Sequence, residues 1–118
     1  MTWATLSQVL RPCLAEGRAV AGFVVLGWED AQAYVQAGEA MGRPVILQPG
    51  PGVRAHTPLS VLGAMFGFLA ARASVPGVAH LDHGESLAVC AKAVTCGFSS
   101  VMYDGSRLPL AENIARTA

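Results

Sequence analysis

The chain has no surplus of either charge: across 118 residues, eight basic residues balance eight acidic ones, and no basic run or stripe stands out. That balance argues against a nucleic-acid surface or an anionic-membrane surface. Small molecules or other proteins are the expected partners. Cysteine is sparse: Cys13, Cys90 and Cys96 are odd in number and lack zinc-finger or redox spacing. Such a set makes no disulfide framework and fits buried, reduced thiols in a cytoplasmic protein. No apolar run is long enough to span a bilayer. Arg11, Pro12 and Glu16 also interrupt the region where a signal peptide would need an unbroken apolar core. With no internal repeat, low-complexity linker or domain boundary, residues 1–118 read as one domain.

What is plentiful is apolar material, at 53% of the residues, which is ample for a buried core at this length. It falls into short continuous runs, the pattern of strands in a sheet covered on both faces. A helix is expected over residues 6–16, with Thr5 as its cap and Gly17 as its stop. A Val-rich strand follows over 19–26. Glu29 and Asp30 then suit the first turn of a helix with Ala31, Tyr34, Val35, Gly38 and Met41 as its apolar stripe, ended by Gly42.

Residues 44–48 read as the second strand, and Gln48-Pro49-Gly50-Pro51-Gly52 as a loop. Thr57-Pro58 is a helix start, with Leu59, Leu62, Phe66 and Leu69 at helical spacing behind it. Met65, Phe66 and Phe68 read as core packing. A third strand over 78–81 precedes a helix capped by Ser86 and carrying Leu87, Cys90 and Val94, closed by Gly97. The fourth strand spans 98–103, and Pro109 opens a last helix with Leu110 and Ile114 on its buried side. Alternating right-handed βα units of this kind build either a doubly wound open sheet or part of a barrel. A complete eight-unit barrel takes roughly 250 residues, so four units make about half of one.

Chemistry concentrates where strands end. The third strand runs into Leu81-Asp82-His83-Gly84-Glu85-Ser86, which pairs an acid with a potential metal ligand, and the fourth ends in Asp104-Gly105-Ser106. The carboxyl ends of parallel strands are where α/β sheets and barrels present side chains to ligands. An Asp-His pair there serves either to cap the next helix or to carry out catalysis. His80 alternates with Asp82 and reads as a hydrogen-bonded supporting residue. His56 reads as solvated, and no chemistry is assigned to Glu112 or Asn113.

Taken together, His80-Leu81-Asp82-His83-Gly84, the run from Gly97 through Ser106, and Pro109 with Glu112-Asn113-Ile114 resemble the amino-terminal half of the class II, zinc-dependent fructose- or tagatose-bisphosphate aldolases. Ala21-Gly22-Phe23 and Arg43-Pro44-Val45-Ile46-Leu47 extend the resemblance over nearly the whole chain. It implies a parallel α/β fold forming the first half of a TIM-type (β/α)8 barrel, incomplete relative to the family. Asp82 matches the general acid/base, which exchanges a proton with the substrate hydroxyl. His83 matches a ligand of the catalytic Zn2+, which polarises the ketose carbonyl. Asp104 matches a ligand of a second divalent cation. The implied reaction is reversible cleavage of a phosphorylated sugar to dihydroxyacetone phosphate and an aldehyde, in a homo-oligomer.

The resemblance has gaps. Val24 follows Phe23 where the family usually has Asn, and Gln48-Pro49-Gly50 stands where Ser or Thr is common. The strand before His80 reads Pro76-Gly77-Val78-Ala79, with smaller side chains than usual. Two further zinc histidines, a second acid and the phosphate-binding glycine loops would lie on later strands that these residues do not include. Two other readings stay open. One is a non-catalytic half-barrel that self-associates or needs a complementing partner through its open edges. The other is a doubly wound receiver-type domain, which predicts an acidic pair right after the first strand, where Gly27-Trp28 stand.

Overall fold

The computed structural model describes residues 3–118. The described residues form six helices and four strands, in the order α1 (Leu6–Ala15), β1 (Gly22–Val24), α2 (Trp28–Met41), β2 (Val45–Gln48), α3 (Pro51–His56), α4 (Leu59–Arg72), β3 (Gly77–Gly84), α5 (Leu87–Thr95), β4 (Ser100–Tyr103) and α6 (Leu110–Thr117). All three strand pairings are parallel and the spatial order is β1-β2-β3-β4. A doubly wound sheet reverses direction at a switch point, whereas this sheet adds each strand beside the last, the winding of a barrel wall. The receiver-type reading falls on that order.

Alternation along the strands sorts the side chains onto two faces. Val45, Leu47, Ala79 and Leu81 point toward the helices and join Val35, Leu62, Phe66, Leu69 and Phe98 in the main core. Phe66, with no exposed surface, meets Phe98 edge to face at 5.7 Å and Trp3 at 6.3 Å. On the opposite face Ile46 and Val78 pack under Val9 of α1, with Ala4, Leu6 and Val20 around them. The helix α1 therefore lies across the inner face near the amino-terminal ends of the strands. Its start is a capping box in which Thr5 accepts from the Gln8 N–H while the Gln8 side chain accepts from the Thr5 N–H. Ser86 caps α5 as expected, accepting from the Val89 N–H. No described helix is long and apolar enough to cross a membrane.

Several local expectations are overturned. The Pro-Gly loop after β2 leads directly into a helix, α3, because Pro51 sits at its first position with a φ already suited to a helix. Thr57 closes α3, donating its N–H to Val53 O, and does not cap α4; its hydroxyl pairs with His56 Nδ1 at 2.9 Å. Pro58 and Pro109 stand just before α4 and α6, outside their first turns. β1 is shorter than its apolar run because its paired register with β2 covers Gly22, Phe23 and Val24 and ends there. β3 is longer and carries Asp82 and His83 inside it. Leu110 and Ile114 of α6 are exposed, as are Met41 and Val94, since no neighbouring element covers those helix faces. Cys13 and Cys90 are buried and Cys96 is half-buried, all as free thiols.

Helix α4 comes close to the turn after α5 at Gly63, where an added Cβ would lie 1.9 Å from Cys96 O. Gly63→Ala is expected to destabilise the fold by at least the ~1–3 kcal/mol typical of overpacking, because a backbone carbonyl cannot swing aside. An unchanged urea midpoint would contradict this contact.

Candidate active site

The ladder between β3 and β4 contains a register shift. Leu81 faces Val101, yet the next matched pair is Gly84 with Tyr103. Two residues of β3, Asp82 and His83, thus have a single β4 counterpart, the two-against-one pattern of a β-bulge. His83 takes φ +48, the one positive φ among the described non-glycine residues, a conformation that costs about 1–3 kcal/mol and gathers at functional sites. Gly84 resumes pairing where nothing larger fits: a Cβ would lie 2.7 Å from both Cys90 Sγ and Met102 O. The Asp104 N–H donates to Gly84 O at 2.8 Å and closes the irregular segment.

This geometry brings three of the expected side chains together. His83 Nδ1 lies 2.7 Å from Asp104 Oδ2, and Asp82 Oδ1 is 3.8 Å from His83 Nε2. Asp104 Oδ1 accepts from the Ser106 N–H at 3.0 Å. The Ser106 side chain first, then the hydrogen bond from His83 and that from the Ser106 N–H, hold the Asp104 carboxyl well below the usual carboxylate range. The hydrogen bond to Asp104, reinforced by the Asp82 charge, raises the His83 pKa above its ordinary value. His80 lies outside this cluster: its Nδ1 is 2.8 Å from Ser100 Oγ, and burial lowers its pKa. His56 is exposed, as expected. Asn113 packs its side-chain oxygen against Gly105 and accepts from Thr117, which holds the loop after β4 to α6.

One neighbour escaped the sequence reading. Arg54, on the unexpected α3, has a side chain only 7% exposed and reaches the backbone carbonyls of Asp82 and His83 and the Glu85 carboxylate. A lone arginine behind Gly50-Pro51, a helix-opening pair, was the available signal.

The pattern of the family Fructose-bisphosphate aldolase class-II matches residues 4–118. The chain belongs to that family. A probable fructose-bisphosphate aldolase of Bacillus subtilis (strain 168) is 38% identical over 123 residues, which cover 100% of this chain and 42% of that protein. A sulfofructosephosphate aldolase of Alkalicoccus urumqiensis is 32% identical, with coverage of 99% and 41%. In three dimensions, the crystal structure of the YdjI aldolase from Escherichia coli K12 matches with a TM-score of 0.91 at 30% identity, over 98% of this chain and 45% of that one. This aldolase-family chain therefore spans under half the length of those relatives.

As a test of zinc chemistry, His83 presents an imidazole whose Nδ1 is held by a carboxylate, the orientation device common beside metal-binding histidines. Among the described residues, however, no three His, Cys, Asp or Glu side chains converge on one point. One ligand fits, and a closed set would need donors from elsewhere.

The His83–Asp104 pair has a definite pH window. With its folded pKa raised, His83 contributes fully below about pH 6.5, and the contribution fades as pH rises through the raised value. Asp104, depressed, contributes above about pH 4 and loses that as pH falls toward its lowered value. Both groups are solvent-accessible, so the effect on stability is small. Titrating the His83 ring by NMR in the metal-free chain should give a pKa above the ordinary value, and Asp104→Asn should return it toward about 6.5. An identical titration in the variant would rule out Asp104 as the cause.

Proposed function

We propose that this chain supplies the acid/base and one zinc ligand of a class II aldolase. The reaction is reversible cleavage of a phosphorylated ketose, of the fructose- or tagatose-bisphosphate type, to dihydroxyacetone phosphate and an aldehyde. The observation that carries this reading is the bulge at the carboxyl end of β3, where Asp82 Oδ1 lies 3.8 Å from His83 Nε2 and the other ring nitrogen of His83 meets Asp104. In this reading the half-buried Asp82 carboxylate takes the proton from the substrate hydroxyl during cleavage and returns it during condensation. His83, steered through Nδ1 by Asp104, offers its ring to zinc. A bound zinc would polarise the ketose carbonyl and stabilise the negative charge left by cleavage.

Asp104 acts here mainly by orienting His83. A second divalent cation at Asp104 would compete with the His83 ring and the Ser106 N–H for the same two oxygens. The remaining zinc ligands and the phosphate loops would come from barrel strands beyond these residues. The relatives' names differ in their sugar, so the ketose is proposed only as a class.

A second reading, a non-catalytic half-barrel that associates through its edges, draws on β1. Val24 is 49% exposed and Leu26 70%, and Phe23 of β1 lines a mainly apolar cavity with Tyr34, Met41 and Val45. Zinc-dependent cleavage assays on the whole polypeptide separate the two readings. Asp82→Ala is expected to cut turnover about 10²–10⁴-fold while zinc stays bound, and His83→Ala to lose both zinc and turnover. Full turnover in Asp82→Ala would sink the proposed acid/base.

A further inference from the structure

We propose that Arg54 is a positioning residue that holds the Asp82–His83 bulge in its working shape, an inference that rests on the aldolase reading above. The bulge takes Asp82 and His83 out of regular pairing with β4. β2 offers no substitute, because its ladder with β3 ends at Leu47 and Ala79. Arg54 supplies the partners: Nη2 donates to His83 O at 2.9 Å, to Asp82 O at 3.3 Å and to Glu85 Oε2 at 3.1 Å, and Nη1 donates to Glu85 Oε2 at 3.4 Å.

Its placement is costly and specific. The Arg54 side chain is only 7% exposed and so largely withdrawn from water, while its carboxylate partner, Glu85, is 63% exposed. A buried charge of this kind needs further hydrogen bonds to be tolerated, and those it finds are the carbonyls of the two residues proposed to do the chemistry. Its Nε finds no partner among the described residues, so the anchoring rests on the two terminal nitrogens. Arginine reaches several acceptors at once through a rigid fork, which lysine, a flexible point donor, does not reproduce. With His83 at φ +48, rotation of either flanking peptide would swing the imidazole away from Asp104. A clamp on both carbonyls blocks that motion.

The test uses Arg54→Met and Arg54→Lys in the whole polypeptide that carries these residues. Zinc affinity is read by chelator competition, kcat and KM by cleavage assay, and the Asp104-bonded state of the His83 ring by NMR of the metal-free protein. In Arg54→Met, zinc affinity and kcat are expected to fall about 10–100-fold, the usual cost of losing a group that supports a ligand. KM should change little and the His83 ring should lose its Asp104-bonded signature, while Arg54→Lys recovers only part of each. A lower melting temperature with wild-type ring signature, zinc affinity and kcat would make Arg54 merely structural and overturn the proposal. If Arg54→Met does not fold, wild-type values in Arg54→Lys overturn it equally. Should the unaltered protein neither bind zinc nor cleave ketoses, the aldolase reading fails by itself, and the ring signature still decides the role of Arg54.

Discussion

The candidate site depends on a single break in register between β3 and β4. Had β3 continued as a regular strand past Leu81, Asp82 would face inward and His83 would follow Ala79 and Leu81 toward the helices. The two-for-one step between Leu81 and Gly84 instead lets both side chains emerge at the rim. Around it the structure is unforgiving. Gly84 has no room for a side chain, the Asp104 N–H ties the strand back to its neighbour, and the backbone at His83 sits in a conformation that its environment must enforce.

That enforcement comes from a rigid support. The main core, centred on Phe66 between Phe98 and Trp3, fixes the sheet against α2, α4 and α5. β3, the strand that carries the bulge, is buried at its centre with β2 and β4 on either side. Strain at a rim residue persists only where surrounding packing overrides it, and a central strand of a parallel wall is a suitable place to hold it.

Much of this was legible in the residues. Short apolar runs punctuated by Gly42, Gly97 and the caps Thr5 and Ser86 revealed four βα units, and polar residues straight after two of those runs marked the rim. The resemblance carried by Asp82-His83-Gly84 and Asp104-Gly105-Ser106 pointed to the family. Local patterns could not reveal the bulge, because a one-residue slip is settled by the partner strand. Nor could they reveal α3, since a Pro-Gly-rich stretch reads as a loop unless proline falls at a helix start. Arg54 was missed with it. The apolar stripes on Met41, Val94, Leu110 and Ile114 were real, but whether a stripe is covered depends on neighbours that a single helix does not specify.

The placement of α1 bears on traffic. By laying Val9 over Ile46 and Val78, it covers one face of the sheet near the amino-terminal ends of β2 and β3. With Ile46 and Val78 covered there, the exposed His83 ring stands at the end of the sheet that α1 leaves open. On the aldolase reading proposed above, a reactant and its products would share that open end, passing the exposed His83 ring and the loop that follows β4.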